Sequence, residues 1–398
     1  MGDQSRLSRA VFPALLAGTL SVVTMSTLLL TPSLPDISKA FGTLPGNAQS
    51  LVTLYLLAFA ISQLVFGGTC DQIGRRPTLL GGLTLFGIAS VACAFAPTMA
   101  FLQIARILQA CGASAIVVSV YAILRDTNDA EGFAKAGSTL AIITGSIPAI
   151  APMIGGYLSK TVSWRGNFVI MALLATSLLV LTRLYIRETI HAKSRFNFVT
   201  LFRNYATLLM EPRFAVQAIA AGAVIGGLYA YNAGVPFMLT DLFGVDATRV
   251  GFVTGLSVPA FLAGSYLGRI ALKRLTPERV AQIGTLTCVA GGLLFFALAR
   301  GNLLSISSIV LSFSLFALGM GLSIPNIMAS ALRFQQSSAG AGTAVLGLAQ
   351  TFGGALFTFL LSLTASPTSN LPTLICVCGF VAASAFNVSL LFKGAKRP

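Results

Sequence analysis

The sequence has few charged side chains: only 9% of its 398 residues are Asp, Glu, Lys or Arg. A soluble domain covers its surface with roughly 25% charged residues, so this composition excludes a water-exposed globular surface. Apolar residues make up 55% of the chain, which also excludes intrinsic disorder, since disordered chains are poor in apolar residues. The composition indicates an all-α membrane protein that crosses the bilayer many times.

Histidine is almost absent, and the cysteines are poorly placed for chemistry. The single histidine, His191, lies in a polar stretch, so neither a histidine-based metal cluster nor a catalytic triad can be assembled. The six cysteines lie mostly inside apolar stretches and have neither zinc-site spacing nor the loop positions of a disulfide framework. We therefore expect no enzymatic activity, no bound metal and no cofactor.

Twelve stretches are long and apolar enough to cross a bilayer, because a spanning helix needs about 20 mostly apolar residues. With the N-terminus inside, 20 of the 26 Lys and Arg residues fall in loops predicted to be cytoplasmic and five in outer loops, as the positive-inside rule requires. This distribution accounts for most of the net charge of +15 without a nucleic-acid partner, and it predicts that both termini are cytoplasmic. The spans lie at approximately 10–35, 49–69, 77–96, 99–124, 134–159, 164–186, 212–239, 248–271, 278–299, 303–328, 338–365 and 371–393.

The longest polar segment divides these spans into six and six. We therefore expect an N-terminal half at 1–186, a cytoplasmic linker at 187–211 and a C-terminal half at 212–398. Transporters built from two repeats bind their substrate at the repeat interface, near the middle of the membrane. A channel or a membrane receptor is an alternative at this stage, although no motif supports either one.

The turn between the second and third predicted spans, residues 67–77, reads GGTCDQIGRRP. Gly67 permits close helix approach, Gly74 allows a tight turn, and Asp71 offers a charge partner to arginine or to a helix N-terminus. The segment resembles the loop motif of the major facilitator superfamily, G-x-x-x-D-R-x-G-R-R-P, except that Gln72 stands where the family often has arginine. The resemblance implies a major facilitator fold of twelve transmembrane helices in two pseudo-symmetric halves. It also implies a cytoplasmic conformational latch formed by Gly67, Asp71, Gly74, Arg75 and Arg76.

Arg106 is the one basic residue that falls inside a predicted span, within the segment RILQACGAS at 106–114. A charge inside a membrane is costly, so it is a functional hypothesis by default. The alternative is that Arg106 snorkels to the outer surface and only bonds backbone carbonyls. The segment resembles the family motif R-x-x-Q-x-x-G-A, and in related antiporters the matching arginine is linked to proton coupling.

The segment GSIPAIAPMIGG at 145–156 resembles the antiporter motif of drug exporters. There, small residues and prolines, here Pro148, Pro152, Gly155 and Gly156, let the fifth helix bend against the eighth. Finer features resemble the Bcr/CflA-type multidrug and phenicol exporters of the drug:proton antiporter branch. These features are Trp164, Arg165, Phe168, Glu188, Thr189, the segments 229–231, 235–237 and 341–344, and Gln350. The resemblance implies a proton-coupled exporter of the bacterial inner membrane, with the proton gradient as its energy source.

One departure from that branch concerns the proton carrier. Its members commonly have an acidic residue four positions before a proline of the first helix, where this chain has Leu28 before Pro32. All eleven acidic residues fall in predicted loops or at helix ends, and Asp36 and Asp126 are the nearest substitutes. Both are alternatively explained as helix-terminus charges. Because Arg106 then has no carboxylate nearby, a transporter of an anionic metabolite or siderophore, in either direction, is the alternative function.

A substrate cavity of drug exporters has aromatic and aliphatic walls with a few polar groups. The expected partners of the protein are a small-molecule substrate and the lipid bilayer, with the chain acting as a monomer. Each candidate lining residue could instead serve packing or helix–helix hydrogen bonding. The candidates are Tyr55, Gln63, Arg106, Tyr121, Tyr229, Tyr231, Asn232, Phe237, Asn326 and Gln350.

Overall fold

The computed structural model describes residues 2–128, 130–189, 198–332, 339–364 and 367–392. Within these ranges the chain forms α-helices and one short 3₁₀ turn, Thr31–Ser33. His191 and Lys396 lie outside the described residues. The helices are α1 (Gly2–Leu28), α2 (Leu34–Ala40), α3 (Pro45–Ile73), α4 (Arg75–Ala94), α5 (Met99–Asp126), α6 (Ala130–Thr161), α7 (Trp164–Tyr185), α8 (Phe198–Leu209), α9 (Pro212–Phe243), α10 (Ala247–Gly255), α11 (Val258–Ala271), α12 (Pro277–Arg300), α13 (Ile306–Leu332), α14 (Ala339–Ser362) and α15 (Pro367–Leu391).

Eleven helical stretches in the described part of the chain are long and apolar enough to cross a membrane. They coincide with eleven of the twelve predicted spans. The remaining predicted span, 134–159, lies within the 32-residue helix α6, in which several side chains are outside the described set. The protein is therefore a multi-pass, all-α membrane protein, as its composition indicates.

Two predicted spans are interrupted, and proline explains both breaks. The first span passes from α1 through the 3₁₀ turn to α2, with Pro32 and Pro35 at the starts of these elements. The span predicted at 248–271 divides into α10 and α11, and Pro259 stands in the first turn of α11. Proline has no N–H to donate and is tolerated in the first turn of a helix, so each break falls where a new helix begins.

One helix was not predicted. Helix α8 forms within the segment 187–211 that was expected to be a linker. Its residues Tyr205 and Leu208 pack against Phe214, Val345 and Leu346. The twelve residues of α8 are too few to give a membrane-span signal.

The chain forms two compact units. Unit 1 comprises Met1–Thr43, Leu54–Asn197 and Asp246–Gly251. In it, α4 packs against α5 and α7, while α1 packs against α5, α6 and α7. Helix α1 therefore lies at the centre of a helical bundle, and α5 brings Arg106 into contact with it.

Unit 2 comprises Leu44–Thr53, Phe198–Val245 and Phe252–Pro398. Its central helix is α9, which packs against α8, α13, α14 and α15. A second group of contacts joins α12 to α13 and α15, and α11 to α13. The predicted boundaries at 186 and 212 remain a prediction, because compactness of the two units does not define where a linker begins.

Candidate functional site

Arg106 lies two turns into α5 and is completely buried, with 0% of its surface exposed. Its guanidinium therefore does not snorkel to a surface. Moving a full charge out of water costs several kcal/mol even after relaxation. The groups that surround Arg106 must offset this cost.

The partners of Arg106 are neutral. Its Nη1 donates to Gln109 Oε1 at 2.5 Å and to the backbone oxygen of Ser26 at 3.3 Å. Its Cζ lies 4.2 Å from the centre of the Tyr55 ring, where the negative face of the ring attracts a cation. Among the described residues, Nε and Nη2 have no hydrogen-bond partner. Two donor nitrogens of a buried cation therefore lack an acceptor among the described residues.

A second set of hydrogen bonds holds these partners in place. Ser26 Oγ donates to the Tyr55 hydroxyl at 2.7 Å, which fixes the ring over the guanidinium. Gln109 Nε2 donates to Ser90 Oγ at 2.7 Å, which turns the amide oxygen toward Arg106. Gln109 could be found from the sequence, because residues three apart on a helix are neighbours. Ser26 and Ser90 could not be found in this way, because they lie on other helices.

The candidate acids lie elsewhere. Asp36, in the first turn of α2, accepts a hydrogen bond from Ser159 Oγ at 2.7 Å. Asp126 is the last residue of α5, 20 residues beyond Arg106, which corresponds to about 30 Å along a helix axis. Asp126 is thus no neighbour of the buried guanidinium. Within the described residues Arg106 forms no salt bridge.

The α3–α4 turn carries a dense network of charges. The buried Arg75 pairs with Asp71 and places its Nε 3.0 Å from Asp126 Oδ2. Asp126 also accepts a hydrogen bond from Thr189 at 3.3 Å. The turn is possible because Gly74 has φ +124°, a conformation that side chains disfavour. The structure thus brings the predicted residues Asp71, Gly74 and Arg75 together, whereas Gly67 is exposed and has open space beside it.

Glu188 caps helix α4 from a distance in sequence. The backbone N–H groups of Arg75 and Arg76 donate to Glu188 Oε1 at 2.9 Å and Oε2 at 3.3 Å. Helix N-termini leave such donors unsatisfied and attract negative charge. Arg76 in turn donates through Nη2 to the backbone oxygen of Arg183 at 2.8 Å. The capping role of Glu188 was not predicted, because the pairing spans more than 110 residues.

The segment 145–156 lies entirely within α6, which continues through Pro148 and Pro152. A Cβ at Gly155 would lie 1.9 Å from the backbone oxygen of Leu29, and one at Gly156 would lie 2.1 Å from that of Ala247. Both glycines therefore allow backbone-to-backbone packing within unit 1. The close contact of α6 with the start of α10 agrees with the small residues of this segment.

An ion pair accompanies this packing. Lys160 Nζ lies 2.8 Å from Asp246 Oδ2, and Asp246 Oδ1 accepts the backbone N–H of Arg249 at 2.9 Å. The hydrogen bonds from Lys160 and Arg249 hold the pKa of Asp246 below its ordinary value. Asp246 consequently stays ionised through the neutral range. Both residues lie at the ends of predicted spans, and the sequence contains no signal that they pair.

The candidate lining residues fall into two groups. Tyr55, Gln63, Arg106 and Tyr121 lie in unit 1, where only Tyr55 contacts Arg106 among the interactions above. Tyr121 is exposed and Gln63 half-buried. In unit 2, Tyr231 is buried and stacks on Phe313 with ring centroids 3.4 Å apart.

The other unit 2 candidates are mostly engaged with their own helices. Asn232 Nδ2 donates to the backbone oxygen of Leu228 at 2.9 Å, and Asn326 Nδ2 to that of Leu322 at 2.7 Å. Tyr229 and Gln350 are half-buried, and Phe237 is buried. The Gln350 Nε2 and the Tyr231 hydroxyl are buried without a hydrogen-bond partner among the described residues. These two groups are the free polar atoms of this set.

Two helical units, a charged α3–α4 turn and a buried arginine in α5 are the features that the resemblance to the major facilitator superfamily implied. The sequence profile of the Major Facilitator Superfamily matches residues 15–358. The chain belongs to the Major Facilitator Superfamily, and the protein is a membrane transporter.

Relatives and solved structures agree with this assignment. The chain is 28% identical over 362 residues to the uncharacterized MFS-type transporter YdgK of Bacillus subtilis (strain 168), covering 89% of each chain. It is 27% identical over 333 residues to the multidrug resistance protein MdtL of Escherichia coli O81 (strain ED1a), covering 82% of each. The crystal structure of a D-xylose–proton symporter superposes with a TM-score of 0.75 at 16% identity, covering 97% of this chain and 100% of the symporter. A bacterial homolog of the human lysosomal transporter Spinster, in an inward-facing and occupied conformation, gives 0.78 at 14% identity, covering 98% and 99%.

Proposed function

We propose that the protein is a proton-coupled exporter of small drug-like or metabolite molecules in the bacterial inner membrane, working by alternating access. The similarity to a protein named for multidrug resistance supports export. The antiporter-like segment of α6 supports it too, because its glycines pack against backbone as the motif requires. Within the superfamily, the features of α6, α7 and α9 favour the Bcr/CflA-type branch.

The substrate preference that we propose depends on Arg106. Its guanidinium is fully buried, its partners are neutral, and two of its nitrogens have no hydrogen-bond acceptor among the described residues. A planar carboxylate or phenolate can accept paired hydrogen bonds from a guanidinium, and such charge-assisted bonds are stronger than neutral ones. A cationic drug would instead be repelled. We therefore infer that the substrates are neutral or anionic.

The same observation favours a second candidate function, the transport of an anionic metabolite or siderophore in either direction. This candidate differs from the first in that its substrate is anionic and its flux is not restricted to export. Coupling of anion transport to protons, by symport or antiport, needs no carboxylate on the transmembrane helices. The titrating group of the anion itself can carry the proton. Arg106 would then act on the substrate directly.

Flux measurements separate the two candidates. Purified protein in proteoliposomes is tested with and without a pH gradient, against a matched series of anionic, neutral and cationic compounds. Proton-driven movement of neutral compounds supports the exporter, and gradient-independent or inward movement of anions supports the second candidate. Efficient transport of cations alone would contradict both.

Three substitutions, at two positions, test the charge argument in the same assay. Arg106→Ala removes the cation, and we expect transport of anionic and neutral substrates to be lost, with Arg106→Lys partly active because an ammonium cannot reproduce the planar fork. Gln109→Glu places a carboxylate at the atom that now accepts from Arg106. We expect Gln109→Glu to weaken anion binding at least tenfold and to leave neutral ligands nearly unaffected. Unchanged anion affinity in Gln109→Glu would remove Arg106 from substrate selection.

A further inference from the structure

Four exposed cations lie in or beside the turn between α11 and α12. They are Arg269 in the last turn of α11, Lys273 and Arg274 in the turn itself, and Arg279 in the first turn of α12. We call these four residues the α11–α12 basic turn. The acidic residue within it, Glu278, is buried and faces Arg213, with Oε1 3.7 Å from Nη2. In the described part of the chain, none of the four cations forms a salt bridge. The turn therefore presents a concentrated positive charge without an internal counter-charge.

The α3–α4 turn of unit 1 also contains adjacent cations, but there acidic side chains compensate their charge. This turn likewise joins two spanning helices, and its adjacent cations are Arg75 and Arg76. Their charge is compensated by Asp71 and Asp126 on the Arg75 side chain and by Glu188 at the helix N-terminus. Among the described residues, the four cations of the α11–α12 basic turn have no such acidic partner, so they are available to an anionic group from outside the chain.

Apolar side chains stand between these cations. Ile270, Leu272 and Leu275 are 44%, 42% and 39% exposed. An open pocket of about 470 Å³ is lined by Ile270, Ala271, Lys273, Arg274 and Leu275. A surface that mixes basic and apolar side chains in this way fits a ligand that has both an anionic group and a hydrocarbon part.

The position of the turn identifies that ligand. The flanking spans are Ala247–Ala271 and Pro277–Arg300, so only five residues separate two helices that cross the bilayer. Such a short connection lies at the level of the lipid headgroups, where the phosphates of anionic lipids attract basic residues close to a membrane span. Nucleic acid or an acidic protein would leave the exposed leucines in water.

We propose that the α11–α12 basic turn binds an anionic phospholipid, with the headgroup phosphate between Lys273 and Arg274 and the acyl chains against Ile270, Leu272 and Leu275. This site is separate from the transport site, and the proposal does not depend on the substrate. A bound lipid would supply unit 2 with the negative charge that unit 1 obtains from its own acids.

The test measures lipid binding to the purified full-length protein in detergent. Phosphatidylglycerol and phosphatidylcholine with identical acyl chains are titrated, and bound lipid is counted by native mass spectrometry. The variant Lys273→Gln/Arg274→Gln removes two cations from the turn. The control Arg183→Gln/Arg187→Gln removes two exposed cations near the end of α7, where acidic residues are already present.

We expect the wild-type protein to bind phosphatidylglycerol more tightly than phosphatidylcholine. The apparent Kd for phosphatidylglycerol should rise about tenfold or more in Lys273→Gln/Arg274→Gln and stay within about twofold in the control. Equal losses in both variants would mean that net charge alone attracts the lipid. That result would overturn the proposal. So would an unchanged Kd in Lys273→Gln/Arg274→Gln, and so would equal binding of phosphatidylglycerol and phosphatidylcholine by the wild-type protein.

Two further measurements keep the test decisive. If the double variant is not monodisperse, the single variants Lys273→Gln and Arg274→Gln are compared, and each should raise the Kd about threefold or more. Inorganic phosphate and glycerol 3-phosphate at millimolar concentration should displace little phosphatidylglycerol, because they lack acyl chains. Full displacement by either would show a site for free phosphate and would contradict a lipid site.

Discussion

At the scale of single residues, Arg106 is a cation stabilised by neutral groups. An amide oxygen, a carbonyl oxygen and an aromatic face surround it. Neutral groups lower the cost of burying a charge without cancelling the charge. The protein thereby retains a positive potential that a bound molecule can use.

We expect Tyr55→Phe and Tyr55→Leu to differ. Phenylalanine keeps the ring over the guanidinium and loses only the hydroxyl that accepts from Ser26, whereas leucine removes the aromatic face. A cation–π contact in a desolvated site contributes about 2 kcal/mol. Thermal unfolding of the purified variants should therefore show a clear loss for Tyr55→Leu and a small one for Tyr55→Phe. Equal losses would assign the effect to the hydroxyl instead of the ring.

The sequence identified Arg106 as a charge inside a predicted span, but it did not show which side chains surround the guanidinium. A lone arginine in an apolar stretch is conspicuous because charge is rare there. Ser26 and Ser90 are ordinary small residues of membrane helices, and their roles depend on packing between distant parts of the chain. Leu28, which replaces the expected acid, was informative because it predicted that Arg106 would lack a carboxylate.

At the scale of helices, α6 offers a matched pair of glycine substitutions. Gly155→Ala and Gly156→Ala would place a methyl group about 2 Å from a backbone oxygen, while nothing lies within 4 Å of a Cβ at Gly145. We expect Gly155→Ala and Gly156→Ala to lose most folded protein or transport, and Gly145→Ala to behave like the wild type or slightly better, since alanine favours helix. The measurements are membrane abundance and flux, and equal effects at all three positions would refute the packing argument.

Helix α4 depends on a cap from outside its own sequence. Glu188→Ala removes both acceptors of the Arg75 and Arg76 backbone N–H groups, and loss of a cap costs about 1 kcal/mol. We expect a lower unfolding temperature for Glu188→Ala and a smaller decrease for Glu188→Gln, which keeps one acceptor oxygen. Asp241→Asn, at an exposed carboxylate near the end of α9, serves as the control. If Asp241→Asn lowered the unfolding temperature as much as Glu188→Ala, the change in net charge and not the loss of the cap would explain the effect.

Hydropathy predicted the spans because a stretch of about twenty apolar residues is rarely found outside a membrane-spanning helix. It could not predict the break between α10 and α11, because both pieces fall within one continuous apolar stretch. It also missed α8, whose apolar residues occupy one side of a short helix. Pairings such as Lys160 with Asp246 join distant segments, and a single sequence contains no signal for them.

At the scale of the whole molecule, charge distribution predicts orientation. The excess of Lys and Arg in alternate loops predicts that both termini are cytoplasmic. A reporter fused at Lys396 that is active only in the cytoplasm should give a signal, and one that is active only outside should not. The same pair of reporters inserted after Gly301 should behave in the opposite way. An external signal at Lys396 would overturn the assignment of inner and outer loops.

The burial of the cysteines has a practical consequence for spectroscopy. Five of the six free thiols are buried, and Cys111 is half-buried. The wild-type chain should therefore take up little maleimide, and a Cys111→Ser background should take up less. Cysteines introduced at Val162 and Leu303, which are 72% and 66% exposed, could then be spin-labelled without removing the remaining native thiols. Because Val162 lies in unit 1 and Leu303 in unit 2, the distance between the two labels, measured with and without substrate, would follow the transport cycle in a nearly native protein.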